Sequence, residues 1–314
     1  MRLLFFRAGI TGLKLKLHQT ARRLRAIRLA PVSTLRHIRH GSVLLLSALI
    51  CLPAAASDSR PLVFGVFPNL TARQIVATYR PVADALQKSL RRPVQIYTAP
   101  DFKTFVERTH AGVYDLVLTA PHFAWLARQD AGYRPLLKYT LEARGLLVVK
   151  AGPTHTDTRT LRNHTIAIAD PLAISVMAVQ AELATEGLEG GIDYTVLPAG
   201  THANAALQVI NGRADAAALG MHAYRLLPPG LRQQLHILYE TPPFSSLMYL
   251  THPRLRDAEA STTRNALLRF AASPAGKAFL QQGGYGGFIE VDSQEIPSFR
   301  PYALQAQEIL RGAP

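Results

Sequence analysis

The chain has one cysteine and one tryptophan in 314 residues. A single thiol excludes an internal disulfide and every zinc site built on paired cysteines. That thiol, Cys51, lies in an apolar stretch near the N-terminus. Acidic residues are missing from positions 1–57, where ten of the 35 lysines and arginines lie. The other 25 face all 21 Asp and Glu, so residues 58–314 have a net charge of +4 against +14 for the whole chain. The basic-surface argument for a nucleic-acid partner goes with that difference. Also missing are a G-x-S-x-G elbow, a Walker A loop, a G-x-G-x-x-G turn after a strand and an H-x-x-x-H pair. The chain therefore does not read as an enzyme, and no metal or cofactor is expected. Long apolar runs are absent too. The longest near the N-terminus, Val43–Ala56, has 14 residues, short of the roughly 20 that a spanning helix needs.

What is present begins with that run. Arg36, His37, Arg39 and His40 precede it and Pro53-Ala-Ala-Ala-Ser57 follows. A positive flank, a compact apolar stretch and small residues at its end make residues 1–57 a long n-region plus a secretory signal, cut near Ala56. Export to the periplasm follows from this reading.

Beyond residue 57 strands and helices alternate. Leu62–Phe67, Val94–Thr98 and Asp115–Thr119 read as strands. Between the first two, Ile75, Tyr79, Val82, Ala83, Leu86 and Leu90 recur at helical spacing, with Pro81 expected to kink or split the helix. A second series holds strands at 165–169, 194–197 and 214–219, with helices at 172–186 and 203–210. The reading is α/β, with two doubly wound lobes joined by a two-strand hinge. Lobe one spans 58–148 and 243–314, and lobe two spans 149–242. Gly145–Lys150 and His236–Glu240 are expected to cross between them.

Open α/β sheets bind ligands beyond the carboxyl ends of their strands, where helix N-termini point free N–H groups. The strand-to-helix turns here hold Asn69, then Asp101 and Phe102, then Thr119, Pro121 and His122. In the second series they hold Asp170, Ala173 and Ser175, then Thr201 and His202. Each turn alone is ordinary helix punctuation. Their recurrence points to a site for a small polar or anionic molecule. Trp125 reads as core, and Gly283-Gly-Tyr-Gly-Gly287 reads as a turn in which Tyr285 either anchors the loop or touches a ligand.

In order and spacing, Phe64-Gly-Val-Phe-Pro-Asn69, Tyr79-Arg-Pro-Val-Ala-Asp84, Tyr114-Asp-Leu-Val-Leu-Thr-Ala-Pro-His122, Ala169-Asp-Pro171 and Asn211-Gly-Arg-Ala-Asp-Ala216 resemble one family. It is that of the phosphate/phosphite/phosphonate-type periplasmic substrate-binding proteins of ABC transporters, with the type 2 periplasmic binding fold. The resemblance implies a monomer that closes on a ligand and delivers it to an inner-membrane permease or presents it to a sensor histidine kinase. It implies a Ser-Thr-Ser cluster gripping phosphonate oxygens, and Ala173, Ile174 and Ser175 stand in its place. Phe102 replaces an aromatic hydroxyl, while His202 matches a ligand histidine. Two missing hydroxyl bonds to a charged ligand are worth about 1.5–3 kcal/mol each, so other donors must compensate or the ligand must be less charged. The remaining alternative is a periplasmic enzyme on this scaffold using His122, Asp170 and His202.

Overall fold

The computed structural model describes residues 60–152, 155–292 and 294–312. The expected signal segment and its expected cleavage site lie outside the described residues. In chain order the elements are β1 (Leu62–Val66), α1 (Ala72–Leu90), β2 (Val94–Tyr97), α2 (Phe102–His110), β3 (Leu116–Thr119), α3 (Pro121–Ala131), β4 (Arg134–Tyr139) and β5 (Gly145–Lys150). After a 3₁₀ turn at Thr158–Leu161 come β6 (Thr165–Ile168), α4 (Ile174–Thr185), β7 (Thr195–Pro198), α5 (His202–Ile210), β8 (Ala216–Gly220), α6 (Met221–Leu226), α7 (Pro229–Arg232) and β9 (Leu235–Glu240). The chain closes with β10 (Met248–Thr251), α8 (Asp257–Ala272), α9 (Pro274–Gly283), β11 (Phe288–Ile289), α10 (Glu295–Ser298) and α11 (Arg300–Leu310).

Two sheets result, and they share a plan. The first runs β11-β4-β10-β3-β1-β2 and the second β7-β6-β8-β5-β9. In each, three parallel strands take the order second-first-third (β2-β1-β3 and β7-β6-β8), and an antiparallel strand flanks the third (β10 and β5). This is the two-lobed α/β architecture that the alternation of strand and helix implies. The C-terminal helices return to lobe one, where Leu267, Phe270 and Phe279 share a core with β1 and α1.

The crossing is not where the sequence placed it. β5 and β9 pair with each other inside the second sheet, so a boundary after residue 148 would cut through β5. The chain passes between lobes just outside them, where Ala143 and Phe244 exchange backbone hydrogen bonds of 2.7 and 2.9 Å. An apolar run shows that a strand is buried and leaves open which sheet buries it. Pro81 also departs from expectation, because α1 is one helix through it. The carbonyl that loses its donor belongs to Ala77, on the exposed side where water can serve. Tyr79, Val82, Ala83 and Leu86 stay packed around the proline.

Candidate functional site

The carboxyl ends of β1, β2, β3, β6, β7 and β8 each feed a helix, and these turns treat their helix N-termini in two ways. Three close themselves. Thr71 and Gln74 form a reciprocal capping box on α1. The Asp101 carboxylate accepts from the Thr104 N–H at 2.7 Å, and Thr201 Oγ1 accepts from the Asn204 N–H at 3.1 Å. In these the polar residue serves its own helix. The helices α3, α4 and the short α6 differ. Their N-caps are Ala120, Ala173 and Gly220, whose side chains have no oxygen to offer, so no side chain caps any of these first turns. Uncapped N–H groups at the positive end of a helix are the ready-made half of an anion site.

The open ends of α3 and α4 meet across the lobes. His122, in the first turn of α3, lies 3.1 Å through Nε2 from the Leu172 carbonyl, just before α4. A carbonyl only accepts, so Nε2 carries the proton and Nδ1 holds a lone pair with no partner. Burial pushes the His122 pKa down to about 3, against the weaker opposing pull of the Leu172 carbonyl, so the ring is neutral at physiological pH. Thr119 Oγ1, at the end of β3, is buried and also has no partner. Leu172 and Met177 of lobe two pack into a core cluster of lobe one. Phe102, stacked on Phe67 with centroids 4.6 Å apart, packs against both lobes.

The second-lobe half is a cradle around Gly220. Its N–H points to His202 Nδ1 at 3.4 Å, leaving Nε2 as the protonated nitrogen of the neutral ring. A Cβ built on Gly220 would lie 3.3 Å from Ser175 Oγ and 3.7 Å from His202 Nε2. The glycine thus lets a hydroxyl and an imidazole N–H approach the backbone more closely than a side chain would allow. Burial holds His202 down to about 4, with the neighbouring His222 adding to the shift. Burial and then Arg225 lower His222 in turn. The His222 ring stacks on Tyr285 of lobe one at 5.6 Å, and Tyr285 is fixed by a 4.3 Å stack on Tyr139 and a 3.3 Å hydroxyl contact with Tyr79. That tyrosine is a loop anchor which also meets the facing lobe.

The structure thus gathers Thr119, Pro121 and His122 on one lobe with Ala173, Ser175 and His202 on the other, sharing the first turn of α4. Asn69, Asp101 and Thr201 are exposed at the edge. Asp170 is raised by burial and further by the charge of Asp101, with the Leu172 N–H opposing. Gly220 and His222 escaped the sequence reading. They occupy the sixth strand-to-helix turn, which lacks the Pro, Thr or Asp that marks the others.

Gly145 supports this geometry from the start of β5. A Cβ there would lie 2.6 Å from the Ser175 carbonyl oxygen and 2.8 Å from Val179 Cγ2. Gly145→Ala is expected to push the first turn of α4 and to cost about 1–3 kcal/mol by overpacking. Urea denaturation measures it, and an unchanged midpoint would mean that β5 and α4 have slack.

Residues 64–296 match the family described as ABC transporter, phosphonate, periplasmic substrate-binding protein. Solved structures share the fold. The binding-protein component of an ABC phosphonate transporter from Pseudomonas aeruginosa superposes with a TM-score of 0.70 at 16% identity, covering 82% of this chain and 90% of that one. PhnD1 from Prochlorococcus marinus, in complex with methylphosphonate, gives 0.71 at 15% identity, covering 80% of this chain and 100% of that one. A Xanthomonas citri protein bound to ATP gives 0.65 at 21% identity, with 80% and 98% covered.

Proposed function

The chain belongs to the phosphonate-type periplasmic substrate-binding proteins of ABC transporters, and from that premise we propose that it captures a phosphoryl or phosphonyl oxyanion between the open ends of α3 and α4. The family makes it a solute-binding component that serves a membrane permease, and among the described residues no helix is long and apolar enough to cross a membrane. The observation behind the proposed site is the contrast in capping. Where Thr71, Asp101 and Thr201 satisfy their own helices, Ala120, Ala173 and Gly220 cap nothing, and the longer helices α3 and α4 leave their N-termini for something else to satisfy.

In this reading Ser175 Oγ and His202 Nε2 grip one oxygen over Gly220, and the first-turn N–H groups of α3 and α4 take others. They take over work that three hydroxyls would do in the Ser-Thr-Ser arrangement. Phe67 and Phe102 cover the apolar end of the ligand. Asp101 and Asp170 repel a dianion at the rim, which favours a singly charged headgroup or one whose substituent reaches the carboxylates. His122 is neutral and hydrogen-bonded to a carbonyl, so it is poorly placed to shuttle protons, and binding without turnover is the expected behaviour.

A thermal-shift and calorimetric panel tests this with methylphosphonate, inorganic phosphate, ATP and methanesulfonate. A ligand at a hundredfold its Kd adds about 2.7 kcal/mol of stability, an easily read shift. At least one phosphorus oxyanion is expected to bind one to one and to remain unchanged by ³¹P NMR. No shift with any of the three phosphorus compounds would overturn the proposed ligand class, and conversion of one to product would restore the enzyme reading.

A further inference from the structure

Lobe two has a second cluster of chemistry-bearing side chains at the opposite end of its sheet. Asp215 immediately precedes β8, His164 immediately precedes β6, and His155 lies on the connection from β5. In sequence they show no metal spacing. In the fold each offers one ligand atom, and these atoms lie within 4.8 Å of one another. We propose that His155, His164 and Asp215 form a binding site for a borderline divalent cation of the Zn²⁺ class.

Hydrogen bonds beside the cluster set His155 for that role. Thr160 Oγ1 donates its proton to the Asp157 carbonyl at 2.6 Å, so at 3.1 Å it can only accept from His155 Nδ1. His155 is therefore the Nδ1–H tautomer with its Nε2 lone pair available, the arrangement that orients a metal-ligating histidine. The two imidazoles stand edge to face with centroids 5.1 Å apart. Asp215 Oδ2 accepts the Thr165 N–H at 2.9 Å and lies 3.2 Å from His164 Nδ1. Ligand atoms on a tetrahedral zinc with bonds of about 2.1 Å sit roughly 3.4 Å apart, so the three atoms draw closer as the ion binds.

The two lobes supply the contrast. Asp115 occupies the same place before β3 that Asp215 occupies before β8, and its Oδ2 accepts the Val63 N–H at 2.8 Å as Asp215 accepts that of Thr165. In lobe one three arginines surround the carboxylate, with Arg60 and Arg254 hydrogen-bonded to it and Arg92 3.8 Å away. In lobe two the corresponding neighbours are imidazoles. Two nitrogen donors and a carboxylate suit zinc-class ions and disfavour Mg²⁺ and Ca²⁺, which want oxygen. The site ties the β5–β6 connection to the sheet. It lies at the strand ends away from the proposed ligand, so it stands independently of that reading.

Zn²⁺ is titrated calorimetrically into metal-free protein, with Mg²⁺ as control and Co²⁺ absorption as a report on geometry. One Zn²⁺ per chain is expected, with visible bands of four-coordinate Co²⁺, a raised melting midpoint and no heat with Mg²⁺. His155→Ala, His164→Ala and Asp215→Asn should each weaken binding at least tenfold. His155→Asn serves where the alanine variant loses its circular-dichroism signature of folding. Absence of one-to-one binding, or equal affinity in folded variants of both histidines, would overturn the site.

Discussion

Protein carrying both Ser175→Ala and His202→Ala is expected to bind methylphosphonate two to four orders of magnitude more weakly than the unaltered chain. Each substitution removes a hydrogen bond to a charged ligand, worth about 1.5–3 kcal/mol, and about 1.4 kcal/mol is tenfold in affinity. Both groups lie over Gly220, where the proposed site places one ligand oxygen. A pH series adds a readout that altered packing would not give. In the free protein burial, aided by His222, holds His202 down to about 4. A bound anion raises that value, so binding takes up protons. Affinity therefore grows as pH falls through the bound-state pKa of His202 and levels off below about 4. In His202→Ala that component disappears, and comparing the two proteins cancels the ligand's own titration. Calorimetry between pH 5 and 8 measures both effects. Equal affinity in the double variant would reject the pocket.

Asp115→Ala is expected to lower stability by about 3–5 kcal/mol, the usual cost of removing one partner from a buried charge network. The carboxylate is fully buried and takes hydrogen bonds from Arg60 at 2.7 Å, Arg254 at 2.6 Å and the Val63 N–H at 2.8 Å. Without it Arg92, itself 7% exposed, keeps Glu259 at 3.0 Å but loses its second carboxylate. Burial alone would raise the pKa of Asp115, yet the Val63 N–H and the two arginines outweigh it and hold the group below the ordinary carboxylate value. A depressed folded-state pKa gives stability that is present above the unfolded value of about 3.9 and is lost as pH falls through the folded one. Asp115→Ala should therefore flatten the acid limb of the stability curve as well as lower its plateau. Asp115→Asn keeps the shape and removes only the charge. Urea midpoints between pH 2 and 7 check this, and a loss under 1 kcal/mol would show that the arginines find other partners.

Much of this was legible in the chain itself. The strands at Leu62–Val66, Val94–Tyr97, Leu116–Thr119 and Thr165–Ile168 follow from apolar runs cut by Pro, Asn and Asp, since period and punctuation are local. Asp101 and Thr201 were legible as helix-start residues for the same reason. The strands β4 and β10 were not. Arg134–Tyr139 and Met248–Thr251 are far apart in the chain, and each owes its state to pairing with the other. His222 and Gly220 were missed because a glycine over a serine and two histidines has no signature until three separate turns are brought together.

By itself the sequence determined the alternation of elements, the repeated βαβ plan and the family, because these rest on local propensity and on residue order. Tertiary structure decided which helix ends remain open and which partners surround each buried carboxylate. It also decided where the chain crosses between lobes. Those properties depend on groups from distant segments arriving within about 3 Å of one another, a range at which hydrogen bonds and charges act and which no linear spacing encodes.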